Sequence, residues 1–174
     1  QDAVIVLSHI KKNGEYNVIL SVYLDQYNKN FYTLNGDKYS YFFDVDPTNI
    51  RKIFIISRYW KLKGGKEILS IITLPENINS IDPIVQVDIV IPFTYCRCCQ
   101  YFNNNIFFSN KEGIHYYNLE TKEFKDLDNE ELPNALGYDM IINDGTLFLS
   151  TFGRGVWYYN LNNLNKKPSP TPSP

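Results

Sequence analysis

Three cysteines fall within four residues, Cys96-Arg97-Cys98-Cys99. Thiols this close point to metal binding or disulfides. A tetrahedral zinc site needs four ligands, and the two histidines, His9 and His115, are remote in sequence. The sequence therefore presents no metal set. In a secreted chain three thiols form one disulfide and leave one over for another chain or for the rest of a larger one. In a reducing compartment they are small hydrophobes. On a strand Cys96 and Cys98 share one face and Cys99 takes the other. Two thiols two residues apart on one strand bridge poorly. At least one of Cys96, Cys98 and Cys99 is thus expected to have a distant disulfide partner.

Other reactive groups are sparse. His9 follows Ser8, and His115 lies in an aromatic stretch, but neither has the context of a nucleophilic triad. No G-x-S-x-G elbow, phosphate-binding loop or dinucleotide fingerprint is present. Gly153-Arg154-Gly155 is too short to cradle a phosphate, so Arg154 is read as holding a loop carbonyl or a carboxylate. No cofactor is expected.

The aromatics are a better functional handle. They make up 16% of the chain, and Tyr116, Tyr117, Trp157, Tyr158 and Tyr159 cluster in two similar stretches. Alternate residues of a strand emerge on opposite faces. One set packs the core; the other offers a platform for sugar rings or for another protein. Tyr117, Trp157 and Tyr159 are the candidates for that surface.

These side chains must be positioned by strands. Ala and Met are nearly absent while Ile, Asn and Tyr abound, which disfavours helices and favours strands. Strand signals run over residues 3–10, 17–24, 31–34, 39–45, 53–60, 67–74, 84–91 and 93–102, punctuated by turn chemistry such as Lys12-Asn13-Gly14 and Asp46-Pro47-Thr48-Asn49. Residues 126–134 have room for one helical turn at most. About 13 short strands at this spacing indicate an all-β sandwich, barrel or propeller. The net charge of −2 leaves no basic face for nucleic acid. No apolar run approaches the roughly 18 residues of a membrane span.

An internal repeat sharpens the fold class. Ile106-Phe107-Phe108-Ser109 matches Leu147-Phe148-Leu149-Ser150 at an offset of 41, and Tyr116-Tyr117-Asn118-Leu119 matches Tyr158-Tyr159-Asn160-Leu161 at an offset of 42. Gly113-Ile114 and Gly155-Val156 lie between. A third copy begins at Ile53-Phe54-Ile55-Ile56-Ser57 but lacks the Gly-Tyr-Tyr half. Each unit reads as an apolar strand ending at Ser, a Gly-containing turn, and a returning aromatic strand. A period near 42 residues with several strands per unit is that of propeller blades. The expectation is an all-β fold of antiparallel propeller-type blades, about four in number, forming a short or incomplete propeller over residues 1–165.

Two stretches resemble a known group. FFDVDPTNIRKIFIIS at 42–57 and GTLFLSTFGRGVWYYNL at 145–161 are similar to blade motifs of secreted Asp-box, sialidase-like repeat propellers. These include the xyloglucanase-type glycoside hydrolases and the sortilin-type receptors. The Asp-box itself, S/T-x-D-x-G-x-x-W/F, is incomplete: Lys111 and Gly153 stand where Asp belongs. The glycosidase side of the resemblance implies a general acid and a general base across a cleft. Asp44, Asp46, Asp88, Asp139 and Asp144 are the candidates, with Asp46 and Asp144 also suited to turns. The residues single out no acid–base pair.

The chain begins at Gln1 and ends in Lys166-Lys167-Pro168-Ser169-Pro170-Thr171-Pro172-Ser173-Pro174. Alternating Pro favours an extended rod. Pro with Ser and Thr is also the composition of O-glycosylated stalks. Residues 166–174 are expected to be a stalk or linker modified at Ser169, Thr171 and Ser173. The whole reads as a secreted or cell-surface structural or interaction module, non-catalytic, partnered by copies of itself or by the rest of a larger chain. Polysaccharide is a further partner class. The alternatives are the C-terminal part of a xyloglucanase-type carbohydrate-active enzyme and a sortilin-type ectodomain fragment.

Overall fold

The computed structural model describes residues 4–12, 15–23, 29–33, 38–59, 66–76, 84–127, 137–153 and 155–164. The boundary at 165/166, the tail with Ser169, Thr171 and Ser173, Arg154, and most of the single helical turn expected at 126–134 lie outside these residues.

The described chain is all-β, in four antiparallel sheets. The first holds β1 (Val4–Lys12), β2 (Glu15–Tyr23) and β3 (Lys29–Thr33). The second holds β4 (Lys38–Val45), β5 (Lys52–Tyr59), β6 (Lys66–Thr73) and β7 (Val85–Ile91). The third holds β8 (Arg97–Phe102), β9 (Asn105–Asn110), β10 (Gly113–Asn118) and β11 (Glu123–Asp126). The fourth holds β12 (Gly137–Asn143), β13 (Thr146–Thr151) and β14 (Gly155–Asn160). Within each sheet the strands pair in chain order. A strand expected over 93–102 is broken: residues 92–95 bend after Pro92, and β8 starts at Arg97.

The second, third and fourth sheets stack face to face. Phe54, Ile56, Leu69 and Ile91 of the second sheet enclose a core with Cys96, Cys99, Ile106, Phe108 and Tyr117 of the third. On its other side the third sheet presents Cys98, Phe107, Ile114 and Tyr116 to Met140, Leu147 and Leu149 of the fourth. The middle strand β9 is therefore buried at every position, which explains its unbroken apolar run. Each fully buried Phe, Leu or Ile contributes about 2 kcal/mol. In β13, by contrast, Leu147 and Leu149 are buried while Phe148 between them is exposed. The leading strand β8 packs against both β4 and β12, whereas the first sheet meets β4 through its middle strand β2.

The sequence repeat is a structural repeat. Phe107 pairs with Tyr116 and Ile106 with Tyr117, just as Phe148 pairs with Tyr158 and Leu147 with Tyr159. Asn118 Oδ1 accepts the N–H groups of Glu120 and Thr121, and Asn160 Oδ1 accepts that of Asn162. The next residue closes the unit. Leu119 N donates to Asn104 O at 2.9 Å, and Leu161 N to Gly145 O at 2.8 Å, each latching the end of the third strand to the hairpin before the second. The second sheet makes the same latch, Leu74 N to Arg51 O at 2.8 Å. The third copy thus keeps the latch although its Gly-Tyr-Tyr half is absent from the sequence.

Turn chemistry sets these registers. Asp46 Oδ1 accepts Thr48 N at 2.9 Å and Thr48 Oγ1 at 2.7 Å, as the Asp-Pro-Thr-Asn turn requires. Asp144 and Gly145 both have positive φ, 47° and 73°, the geometry of a two-residue hairpin matched to strand twist. A Cβ on Gly145 would stand 2.8 Å from the Asn162 side chain.

Candidate functional site

A cleft of about 260 Å³ opens between the second and third sheets, lined by Phe42, Arg58, Glu67, Tyr95, Cys96 and Arg97. The hairpin register sets Arg58 on β5 directly opposite Glu67 on β6. The Arg58 Nε lies 3.8 Å from Glu67 Oε1, and the Glu67 side chain is only 2% exposed. Tyr95 N donates to the same oxygen at 3.2 Å. The Arg58 guanidinium lies over the Tyr95 ring, 4.6 Å from its centroid, a favourable cation–π contact. Tyr95 itself is exposed at the mouth and holds a positive φ of 59°. Burial raises the Glu67 carboxyl above its ordinary range, against the opposing pull of Arg58 and the Tyr95 N–H. Among the described residues Glu67 Oε2 finds no hydrogen-bond partner. The site therefore combines a buried carboxyl, two guanidiniums and an exposed aromatic ring.

None of the five aspartates named from the sequence lines this cleft. Asp44 Oδ2 accepts Tyr101 N at 2.6 Å and its Oδ1 accepts Val45 N at 2.8 Å; burial raises its pKa against these bonds. Asp46 sits in its turn. Burial opposes ionisation there, but the bonds from Thr48 and its neighbours prevail and hold the carboxyl below its ordinary value. Asp88 accepts Ser70 Oγ at 2.6 Å and Gln86 Nε2 at 2.9 Å. Asp139 accepts Met140 N, and Asp144 shapes the hairpin to β13.

All three thiols are free and buried, so the disulfide expected of Cys96, Cys98 and Cys99 is not formed in the structure. The expected face-sharing is also corrected. A bulge between Arg97 and Gln100, with Cys98 at φ 62°, inserts an extra residue into β8. Cys96 and Cys99 consequently share the core against the second sheet, and Cys98 faces the fourth. Cys98 Sγ lies 3.4 Å from Ser109 Oγ. Burial pushes Cys98 up to about 11, and pushes Cys96 and Cys99 well above the ordinary thiol value. Cys96 and Cys99 have the C-x-x-C spacing of a redox pair, but reactive cysteines are exposed and acidified, the opposite of these.

His9 lies in β1 opposite Val18. His115 is buried, with Nδ1 2.6 Å from Asp126 Oδ1 and Nε2 2.9 Å from Asn110 Oδ1. Phe93 stacks on the ring at a centroid distance of 3.8 Å. Both nitrogens are engaged, and the ring is a tie rather than a general base.

The aromatic surface is placed differently from the expectation. Tyr117 is 5% exposed, in the core and packed on Phe124; its expected surface role is removed by the covering sheet. Trp157 and Tyr159 are half-buried. The rings and side chains in solvent are those of the other parity, Val156 and Tyr158.

No family model matches the chain, and no curated protein matches it.

Among the described residues no group of three His, Cys, Asp or Glu is placed to hold a metal ion. No helix among them is long and apolar enough to cross a membrane. The cleft residues escaped the sequence reading because residues 58, 67 and 95–97 meet only through register and the bend after Pro92. No turn signal marks the pair: a hairpin turning at Gly64-Gly65 would set Glu67 opposite Leu62, and only the observed register sets it opposite Arg58.

Proposed function

We propose that the chain is a secreted or cell-surface interaction module built from propeller-type blades, assembling with other copies of itself or with the rest of a larger chain, and without catalytic activity of its own. The blade reading is supported by consecutive antiparallel meanders stacked in chain order, with β4, β8 and β12 in contact as leading strands. Secretion and modification of Ser169, Thr171 and Ser173 rest on the composition of the tail. The observation that carries the non-catalytic role is the engagement of the carboxylates. Asp44, Asp46, Asp88 and Asp139 are each occupied with backbone, turn or cross-strand bonds, Asp144 sits in a hairpin turn, and none of the five lines the cleft with Glu67.

The test is release of reducing ends from soluble β-glucans by the 174-residue chain and by Glu67→Gln. Neither protein is expected to exceed the buffer rate. Release by the wild type that is lost in Glu67→Gln would overturn the proposal. One observation favours the second reading, a carbohydrate-active enzyme. Glu67 is a buried carboxyl with a raised pKa at a cleft, as a general acid of glycoside hydrolysis must be.

A further inference from the structure

The outer face of the fourth sheet carries the same residues as a face that is buried one sheet earlier. Phe148, Val156 and Tyr158 are the repeat partners of Phe107, Ile114 and Tyr116, with the same cross-strand pairing. Phe107, Ile114 and Tyr116 are 0%, 2% and 9% exposed beneath the fourth sheet, whereas Phe148, Val156 and Tyr158 are 37%, 68% and 75% exposed. Ile141, 60% exposed, extends the row across all three strands through its pairing with Phe148. Contiguous exposed apolar surface of this kind marks an interaction site. The repeat also states what covers it. Over Phe107 and Tyr116 lies an antiparallel sheet whose second strand presents alternate leucines, Leu147 and Leu149. The occupant that fits the equivalent face is another such sheet.

We propose that this face docks the first sheet of a second copy of the chain, so that two copies close one ring of eight sheets. The proposal rests on the blade-type reading above. The first sheet stands at the opposite end of the order, touching the second through β2 and β4. Both alternate sets of β2, Val18, Leu20 and Val22 and then Ile19, Ser21 and Tyr23, are largely apolar in sequence. That is the pattern of a strand covered on both faces. A copy related by a two-fold axis sets its first sheet on this fourth sheet and its fourth sheet on this first one. The same contact is then made twice, and the assembly closes without an open end. Eight sheets lie within the roughly four to eight blades over which propellers close.

Native mass measurement and light scattering of the 174-residue chain over a range of micromolar concentrations test this. A two-copy species is expected. Tyr158→Asp and, separately, Val156→Lys should each raise its dissociation constant about tenfold or more while the far-ultraviolet strand spectrum is retained. Val87→Asp, at a half-exposed position on β7 of the second sheet, should leave it unchanged. A single-chain mass at every concentration would overturn the proposal. So would an open series of larger assemblies lacking the two-copy species, or a two-copy species indifferent to both face variants. The β-glucan readout does not depend on mass, so loss of the docking face and loss of the non-catalytic reading give separate results.

Discussion

Asp44 on β4 holds Tyr101 on β8: its Oδ2 accepts the Tyr101 backbone N–H at 2.6 Å. The bond joins the leading strands of two sheets, and Tyr101 in turn stacks on Phe54 at 5.1 Å between centroids. A carboxylate tethering a sheet in this way is a structural element, whatever its chemistry suggests in sequence.

The Asp44 pKa is raised by burial from 3.8 in the native protein. A raised native pKa means the folded state retains the proton. The stabilisation is full below the unfolded value and is lost as pH rises through the native one. Asn at this position still offers an oxygen to Tyr101 and has no charge to desolvate. Asp44→Asn should therefore gain stability relative to the wild type as pH rises from below 3.8 through the native value, read from urea unfolding at a series of pH values. An unchanged difference across that window would refute the assignment.

Asp46 should behave with the opposite sign. Its pKa is lowered, so its contribution is present above the unfolded value and lost as pH falls through the native one. Asp46→Ala removes the acceptor of Thr48 N and Thr48 Oγ1. It is expected to cost about 1–2 kcal/mol near neutral pH, with the loss shrinking in acid.

Arg58 and Glu67 form a pair in which Glu67 is buried. Arg58→Met leaves that carboxyl without its cation and should destabilise by about 3 kcal/mol. Adding Glu67→Gln should restore much of the loss, since no charge is then left in the core. A double-mutant cycle on thermal unfolding measures the coupling.

The thiols should be inert in the native state. With Cys98 pushed up to about 11 and all three buried, labelling by iodoacetamide at mild pH should be negligible until urea unfolds the chain. Three equivalents should then react per molecule. Rapid labelling of the folded protein would show that β8 opens.

Gly145→Ala combines a φ of 73° with a Cβ 2.8 Å from Asn162. A loss above about 1 kcal/mol is expected, seen as a lowered urea midpoint.

The strands were legible because β-branched and aromatic runs alternate with Asn, Gly and Pro turns, and the repeat was legible wherever side chains recur. The second sheet hid half of its copy because Ser70-Ile71-Ile72-Thr73-Leu74 makes the same backbone latch with different residues. The faces were harder. Parity told which of Tyr116 and Tyr117 oppose each other, but which is covered depends on the neighbouring sheet. Tyr117 meets the second sheet and Tyr158 meets solvent. The bulge at Cys98 was invisible because a cysteine at φ 62° carries no sequence signature.

The latch from Leu74, Leu119 and Leu161 back to the hairpin within the same sheet ties the second, third and fourth sheets each into a hydrogen-bonded unit of its own. Cohesion between these sheets then comes from nearest-neighbour contacts, apolar packing together with the few bonds that cross, such as Asp44 to Tyr101, as in linear repeat arrays. In a single copy, opening should proceed as fraying from an end: the amide of Leu161 exchanges with solvent first, and that of Leu119, roofed by a sheet on either side, persists until the array as a whole comes apart.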